Sequence, residues 1–187
     1  MPLINLGVTS YWVEGRLDEA AATFQQALTD REKEYGVNDT TSFATGKLLL
    51  GYGNVKWDQG RFDERFALHQ RCLQQYKATT GNNHHRTADA CVKVSGHHLR
   101  LRQHESALLL LCHATKIYDE QPHFISERAR ASDKRGTLYK VLGRMPEASK
   151  DFEIAIELYY KLNPDDTRTF PELGPDDFDK KIMFWSR

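Results

Sequence analysis

A six-residue turn recurs four times along this chain and constrains its fold more than any other feature. It reads Gly15-Arg16-Leu17-Asp18-Glu19-Ala20, Gly60-Arg61-Phe62-Asp63-Glu64-Arg65, a degenerate Arg102-Gln103-His104-Glu105-Ser106-Ala107, and Gly143-Arg144-Met145-Pro146-Glu147-Ala148. The copies are 45, 42 and 41 residues apart. The register continues downstream. Four residues past each copy stand Phe24, His69, Leu111 and Phe152, and three further on stand Ala27, Cys72, Ala114 and Ala155. A small–large–small series at i, i+4 and i+7 is one face of a helix, with small residues where a neighbouring helix comes close.

A second helical segment precedes each turn, with Gly53, Val55 and Trp57 before Gly60, and Gly136, Tyr139 and Val141 before Gly143. The turn glycine suits the left-handed residue that ends a helix, and the following acid suits the positive end of the next helix dipole. Each unit therefore reads as helix–turn–helix. The longer links Gly36–Ser42 and Gly81–Thr87 repeat 45 residues apart and are polar, as connections are. The pattern predicts helices near 3–13, 17–35, 42–58, 62–79, 87–101, 104–120, 125–141 and 145–162, and no strand. The expected fold class is all-α, an α-solenoid of about four units (1–40, 41–85, 86–124 and 125–163). Together these make one repeat domain over 1–163, followed by a tail over 164–187.

Both ends carry expectations. No capping helix is read before the first helix, so Leu3, Ile4 and Leu6 would present an apolar face that either a preceding domain covers or that self-associates into a homo-oligomer. The tail opens with a Pro- and Asp-rich breaker. From Asp176 it can form a short helix whose apolar side is Phe178, Ile182, Met183 and Trp185. This tail is expected to fold back and cap the last unit; the alternative is a docking peptide for a partner.

Composition excludes several classes. With 26 Lys and Arg against 26 Asp and Glu the formal net charge is zero, which argues against general binding to nucleic acid or to an anionic membrane. The longest apolar run, Ala107 to Cys112, is far short of a membrane span. No signal peptide is evident, and Cys72, Cys91 and Cys112 read as reduced thiols, so a cytoplasmic location is expected. The adjacent pairs His84-His85 and His97-His98 point apart on a helix, and neither a His-x-x-x-His nor a Cys-x-x-Cys is present, so no metal is expected. No phosphate-cradling or nucleophile-elbow motif occurs either, and no cofactor is implied.

The series Gly136, Tyr139, Gly143, Ala148, Phe152 and Ala155 resembles the tetratricopeptide-repeat consensus. The long repeat and the Gly81–His84–Thr87 link are similar to the kinesin-light-chain type of that family, a type found widely in fungal proteins. The resemblance covers about residues 3–164. It departs at Arg65, which replaces a small residue, and at Lys56 and His98, which stand where Tyr11 and Tyr139 stand elsewhere. It departs again at Arg102, which replaces the turn glycine and makes the third unit the expected least regular one.

What the resemblance implies is a protein-interaction scaffold that holds a peptide or helix in a concave groove lined by the first helix of each unit. Carried over by register, the groove residues are Trp12, Lys47, Asn54, Trp57, Arg100, Arg130 and Lys140. Trp12 and Trp57 share one place in successive units and could anchor an apolar group; the alternative is that they pack as core. An amide at Asn54 could hold a peptide backbone, and the four cations could face an acidic segment, interrupted by Asp89. The carboxylate clamp of co-chaperone relatives is incomplete, because Asn5, Thr9 and Asp89 occupy its places. A second reading is a small-molecule enzyme using Asp58, His98, Asp133 and Lys140 as acid and base, and a third is a self-association module acting through its ends.

Overall fold

A computed structural model describes residues 5–7 and 15–182 of the chain. Its helices are α1 (Leu17–Tyr35), α2 (Phe43–Asp58), α3 (Phe62–Thr79), α4 (His85–Arg100), α5 (His104–Asp119), α6 (Ile125–Val141), α7 (Met145–Leu162) and the short α8 (Pro175–Asp179). No strand occurs among the described residues. The expected faces of Leu3, Ile4 and Trp12 at one end, and Met183 and Trp185 at the other, lie outside the described residues.

The recurring turn closes in the same way after α2, α4 and α6. After α2, the Gly60 N–H donates to Trp57 O (2.9 Å) and the Arg61 N–H to Lys56 O (2.8 Å). After α6, Gly143 donates to Lys140 O (3.1 Å) and Arg144 to Tyr139 O (2.9 Å). These bonds satisfy carbonyls that the helix end would otherwise leave unpaired, and they require a left-handed residue, at φ +73° for Gly60 and +72° for Gly143. The third unit corrects its sequence expectation: it is no less regular. Arg102 adopts φ +56° and makes the same closure, donating to Leu99 O (3.0 Å) while Gln103 donates to His98 O (2.8 Å). An L side chain can enter this region at a cost, and the turn imposes it.

The chain divides into two compact units, residues 1–82 and 83–187. In the first, α2 packs on α1 and on α3. Glycines on α2 let the partner side chains reach its backbone. A Cβ on Gly53 would lie 2.3 Å from the His69 ring, and one on Gly46 2.3 Å from the Tyr76 ring. The α1–α2 link is organised by buried Asp39, whose carboxylate accepts from Thr41 N (2.7 Å), Thr41 Oγ1 (2.8 Å), Ser42 N (3.0 Å) and Thr45 Oγ1 (2.9 Å). Burial alone would raise this carboxyl; the four donors outweigh it and hold it at about 2.

In the second unit α4–α5 and α6–α7 form antiparallel pairs, and α5 packs on α6. Gly136 lies against Phe152, 2.9 Å from an added Cβ, whereas at the same register place Ser95 is fully buried on α4, its hydroxyl donating to Val92 O (2.8 Å). Tyr118 of α5 donates to buried Asp89 of α4 (2.7 Å). Arg135 of α6 forks onto Asp151 of α7 (Nε–Oδ2 2.6 Å, Nη2–Oδ1 2.5 Å) and also bonds Thr115 of α5, so one guanidinium ties three helices.

The tail folds back on the last helix pair, as expected. Phe170, in a single 3-10 turn (Phe170–Glu172), packs on Phe152 (5.1 Å between ring centroids), and Phe178 packs on Tyr159 (5.4 Å). Phe178 is 3% exposed in a cluster with Ala129, Ala155, Leu158 and Tyr159.

Candidate functional site

The first helices of the repeats are α2, α4 and α6, and the residues carried over by register fall on them unequally. On α2, Trp57 is 45% exposed at the last turn. It is not core: its ring meets Phe62 edge-on (5.0 Å), and the Arg65 guanidinium stacks 3.7 Å from the ring centroid. Arg65 therefore replaces a small residue of the repeat because it covers this indole, an arrangement invisible to the consensus. Lys47 is half-buried with its ammonium 5.5 Å over the Phe43 ring. Asn54 is only 6% exposed.

Lys56, another departure from the consensus, is buried. Its ammonium lies 5.0 Å over the Tyr52 ring and 3.0 Å from Glu64. The Glu64 carboxylate supplies the charge a buried ammonium requires.

In the second unit Arg100 on α4 and Lys140 on α6 are exposed. Arg130 is 2% exposed and faces Asp179 of the tail (3.6 Å), so it does not stand open to an incoming segment. Asp89, expected to break a basic wall, is instead turned inward to Tyr118 and Arg86. Of the seven residues, Trp57, Arg100 and Lys140 are the exposed ones, Lys47 is half-buried, Asn54 and Arg130 are buried, and Trp12 lies outside the described residues.

Of the suggested acid–base set, Asp58 belongs to the first compact unit and His98, Asp133 and Lys140 to the second, and the His98 ring nitrogen lies 2.6 Å from Gln103 Oε1. Asp133 is buried, and its carboxyl is pushed up to about 6, first by burial and then by the nearby Asp179 carboxylate, with Lys134 opposing. Among the described residues no group of three or more His, Cys, Asp and Glu is positioned to hold a metal ion, and no helix is long and apolar enough to cross a membrane.

These repeats match known proteins. Residues 44–120 match the model of a tetratricopeptide repeat. Over 142 residues the chain is 25% identical to Protein KINESIN LIGHT CHAIN-RELATED 1 of Arabidopsis thaliana, covering 75% of this chain and 23% of that one. The chain thus spans about a quarter of the length of this curated relative. The solved structure of BtubC (BKLC) from P. vanneervenii superposes with a TM-score of 0.71 at 16% identity, over 88% of this chain and 65% of that one. A crystal structure of MamA gives 0.59 at 23% identity, over 87% and 79%. Fold and repeat together define an all-α solenoid of helix–turn–helix units. Within that class, the chain matches a tetratricopeptide repeat over residues 44–120 and is similar to a kinesin-light-chain-related protein.

Proposed function

We propose that this chain is a protein-interaction module that holds an extended peptide or a helix against the first-helix faces of its repeats. Tetratricopeptide repeats generally serve protein–protein interaction, and the match over residues 44–120 brings that expectation to this chain. One observation carries the reading to particular residues: Trp57, a large indole, stands 45% exposed at the end of a first helix, already braced by Phe62 and Arg65. A braced, half-exposed aromatic loses little freedom when a partner covers it, which is how interface anchors contribute most of their affinity. Arg100 and Lys140, exposed on the other first helices, give the preferred partner an acidic character.

The test uses a peptide selected from a displayed random library on the full chain, then measured at equilibrium. Trp57→Ala and Arg100→Glu are expected to weaken it by about tenfold or more each, about 1.4 kcal/mol, without loss of helicity. Leu109→Ala, on the second helix α5 and 72% exposed, is expected to change nothing. Equal binding by the Trp57 and Arg100 variants overturns the reading.

A further inference from the structure

A buried carboxylate is normally answered by hydrogen-bond donors or by a cation, because its charge is costly to take out of water. Among the described residues five aspartates are buried: Asp39, Asp89, Asp133, Asp151 and Asp177. Four of them are answered. Asp39 has its four donors, Asp89 has Tyr118 and Arg86, and Asp151 has the Arg135 fork. Asp177 takes the Gly174 amide, Arg168 and Lys180.

Asp133 differs. It is 8% exposed, yet no described residue gives its carboxylate a hydrogen bond or an ion pair. The cations beside it on α6 are engaged elsewhere. Arg130 and Lys134 face Asp179, at 3.6 and 3.8 Å, and Arg135 is held by Asp151. The Asp133 carboxyl, pushed up to about 6 by burial, is still mostly ionised at pH 7.

This unanswered charge stands where the proposed function needs a receptor. Asp133 lies on a first helix, one turn after Arg130, and Thr137 and Lys140 follow it at i+4 and i+7 on the same face, both exposed. Its oxygens are recessed but not sealed from solvent. A planar guanidinium is broad, whereas an ammonium on a flexible four-carbon stem can reach a recessed point charge through a small opening.

We propose that Asp133 is the receptor for a lysine side chain of the bound partner, whose ammonium completes the ion pair that the fold leaves open. Lys140 stands about 10 Å further along α6. Three residues of an extended segment span about that distance. The partner class is therefore an acidic peptide carrying a lysine three residues from an Asp or Glu, the lysine on Asp133 and the acid on Lys140. The inference rests on the reading of first-helix faces as receptors and adds which side chains the last of them takes.

The experiment selects a displayed library of random peptides on two full chains, wild type and Asp133→Asn. Wild type is expected to enrich Lys three residues from Asp or Glu, and Asp133→Asn to keep the acid and lose the Lys. The strongest wild-type peptide is then made with norleucine in place of that Lys, which keeps the stem and removes the ammonium. Its affinity for wild type is expected to fall by about tenfold, and for Asp133→Asn to change by less than about twofold. The free chain supplies a second measurement. A carboxylate kept open for a partner destabilises the fold without one, so Asp133→Asn is expected to raise the urea midpoint.

A lowered urea midpoint overturns the proposal, because the carboxylate then serves the fold. The same Lys preference on both chains, or none on wild type, overturns it too. Peptides that depend on Trp57 and Arg100 but carry no such Lys leave the broader function standing. Peptides indifferent to Trp57 and Arg100 overturn that broader reading, and a selection that enriches nothing overturns both.

Discussion

At the scale of single residues the repeat is a set of backbone requirements met by whichever side chain costs least. Arg102 meets one at a penalty. It holds φ +56° in a turn whose counterparts are Gly60 and Gly143, and its hydrogen bonds match theirs. A left-handed L residue costs roughly 1–2 kcal/mol, part of which a glycine returns through its greater unfolded-state freedom. Arg102→Gly is therefore expected to stabilise the chain by about 1 kcal/mol, raising the thermal midpoint by about 2–4 °C. Calorimetry checks this, and a lower midpoint would mean that the Arg102 side chain contributes more than its backbone costs. The same logic explains Gly53 and Gly136, which carry no turn. They are small because His69 and Phe152 occupy the space a Cβ would need, and the sequence already pairs these positions by register.

At the scale of helices, what holds neighbouring elements together is a mixture of that packing with a few buried polar pairs. The fork from Arg135 to Asp151 is the clearest. Asp151 is buried on α7, and the guanidinium is held charged by it against the pull of burial. Asp151→Asn leaves that guanidinium largely buried with its charge uncompensated, and about 3 kcal/mol of stability is expected to be lost, measured by urea unfolding. A loss below about 0.5 kcal/mol would show that water reaches the arginine and screens it.

Helix limits were largely legible from sequence. The segments 17–35, 62–79, 125–141 and 145–162 coincide residue for residue with α1, α3, α6 and α7. Glycine turns and acidic first residues mark such boundaries locally. The start of α4 was not: the helix begins at His85 rather than Thr87, because the His84 ring accepts from the Arg86 amide (3.1 Å) and caps it two residues early. The candidate site was less legible than the fold. Register assigns a residue to a helix face, but exposure depends on what comes from elsewhere in the chain. Arg130 is covered by Asp179, and Asp89 is claimed by Tyr118; nothing in a repeat of 41–45 residues announces either pairing. Arg65, read as a flaw in the repeat, proved to be the brace on Trp57.

At the scale of the whole molecule the governing number is the balance of 26 positive against 26 negative side chains, with an isoelectric point near 7.1. A chain with no net charge has no long-range repulsion to keep copies apart, so solubility should pass through a minimum near that pH. The minimum should also be shallow. On the basic side, loss of lysine charge builds net negative charge only slowly. On the acid side the usual gain of histidine charge is blunted, because burial and neighbouring cations hold His85 down at about 4, and burial holds His84 below its ordinary value. Protonation of Asp133 near 6 recovers only part of that positive charge.

The amount of precipitating polymer tolerated is therefore expected to be lowest near pH 7, with a shallow rise toward pH 5.5. Added salt near the minimum should raise solubility by screening attraction between opposite charges on different copies. A steady fall of solubility through pH 7, insensitive to salt, would instead locate self-association in an apolar surface such as the exposed Leu6.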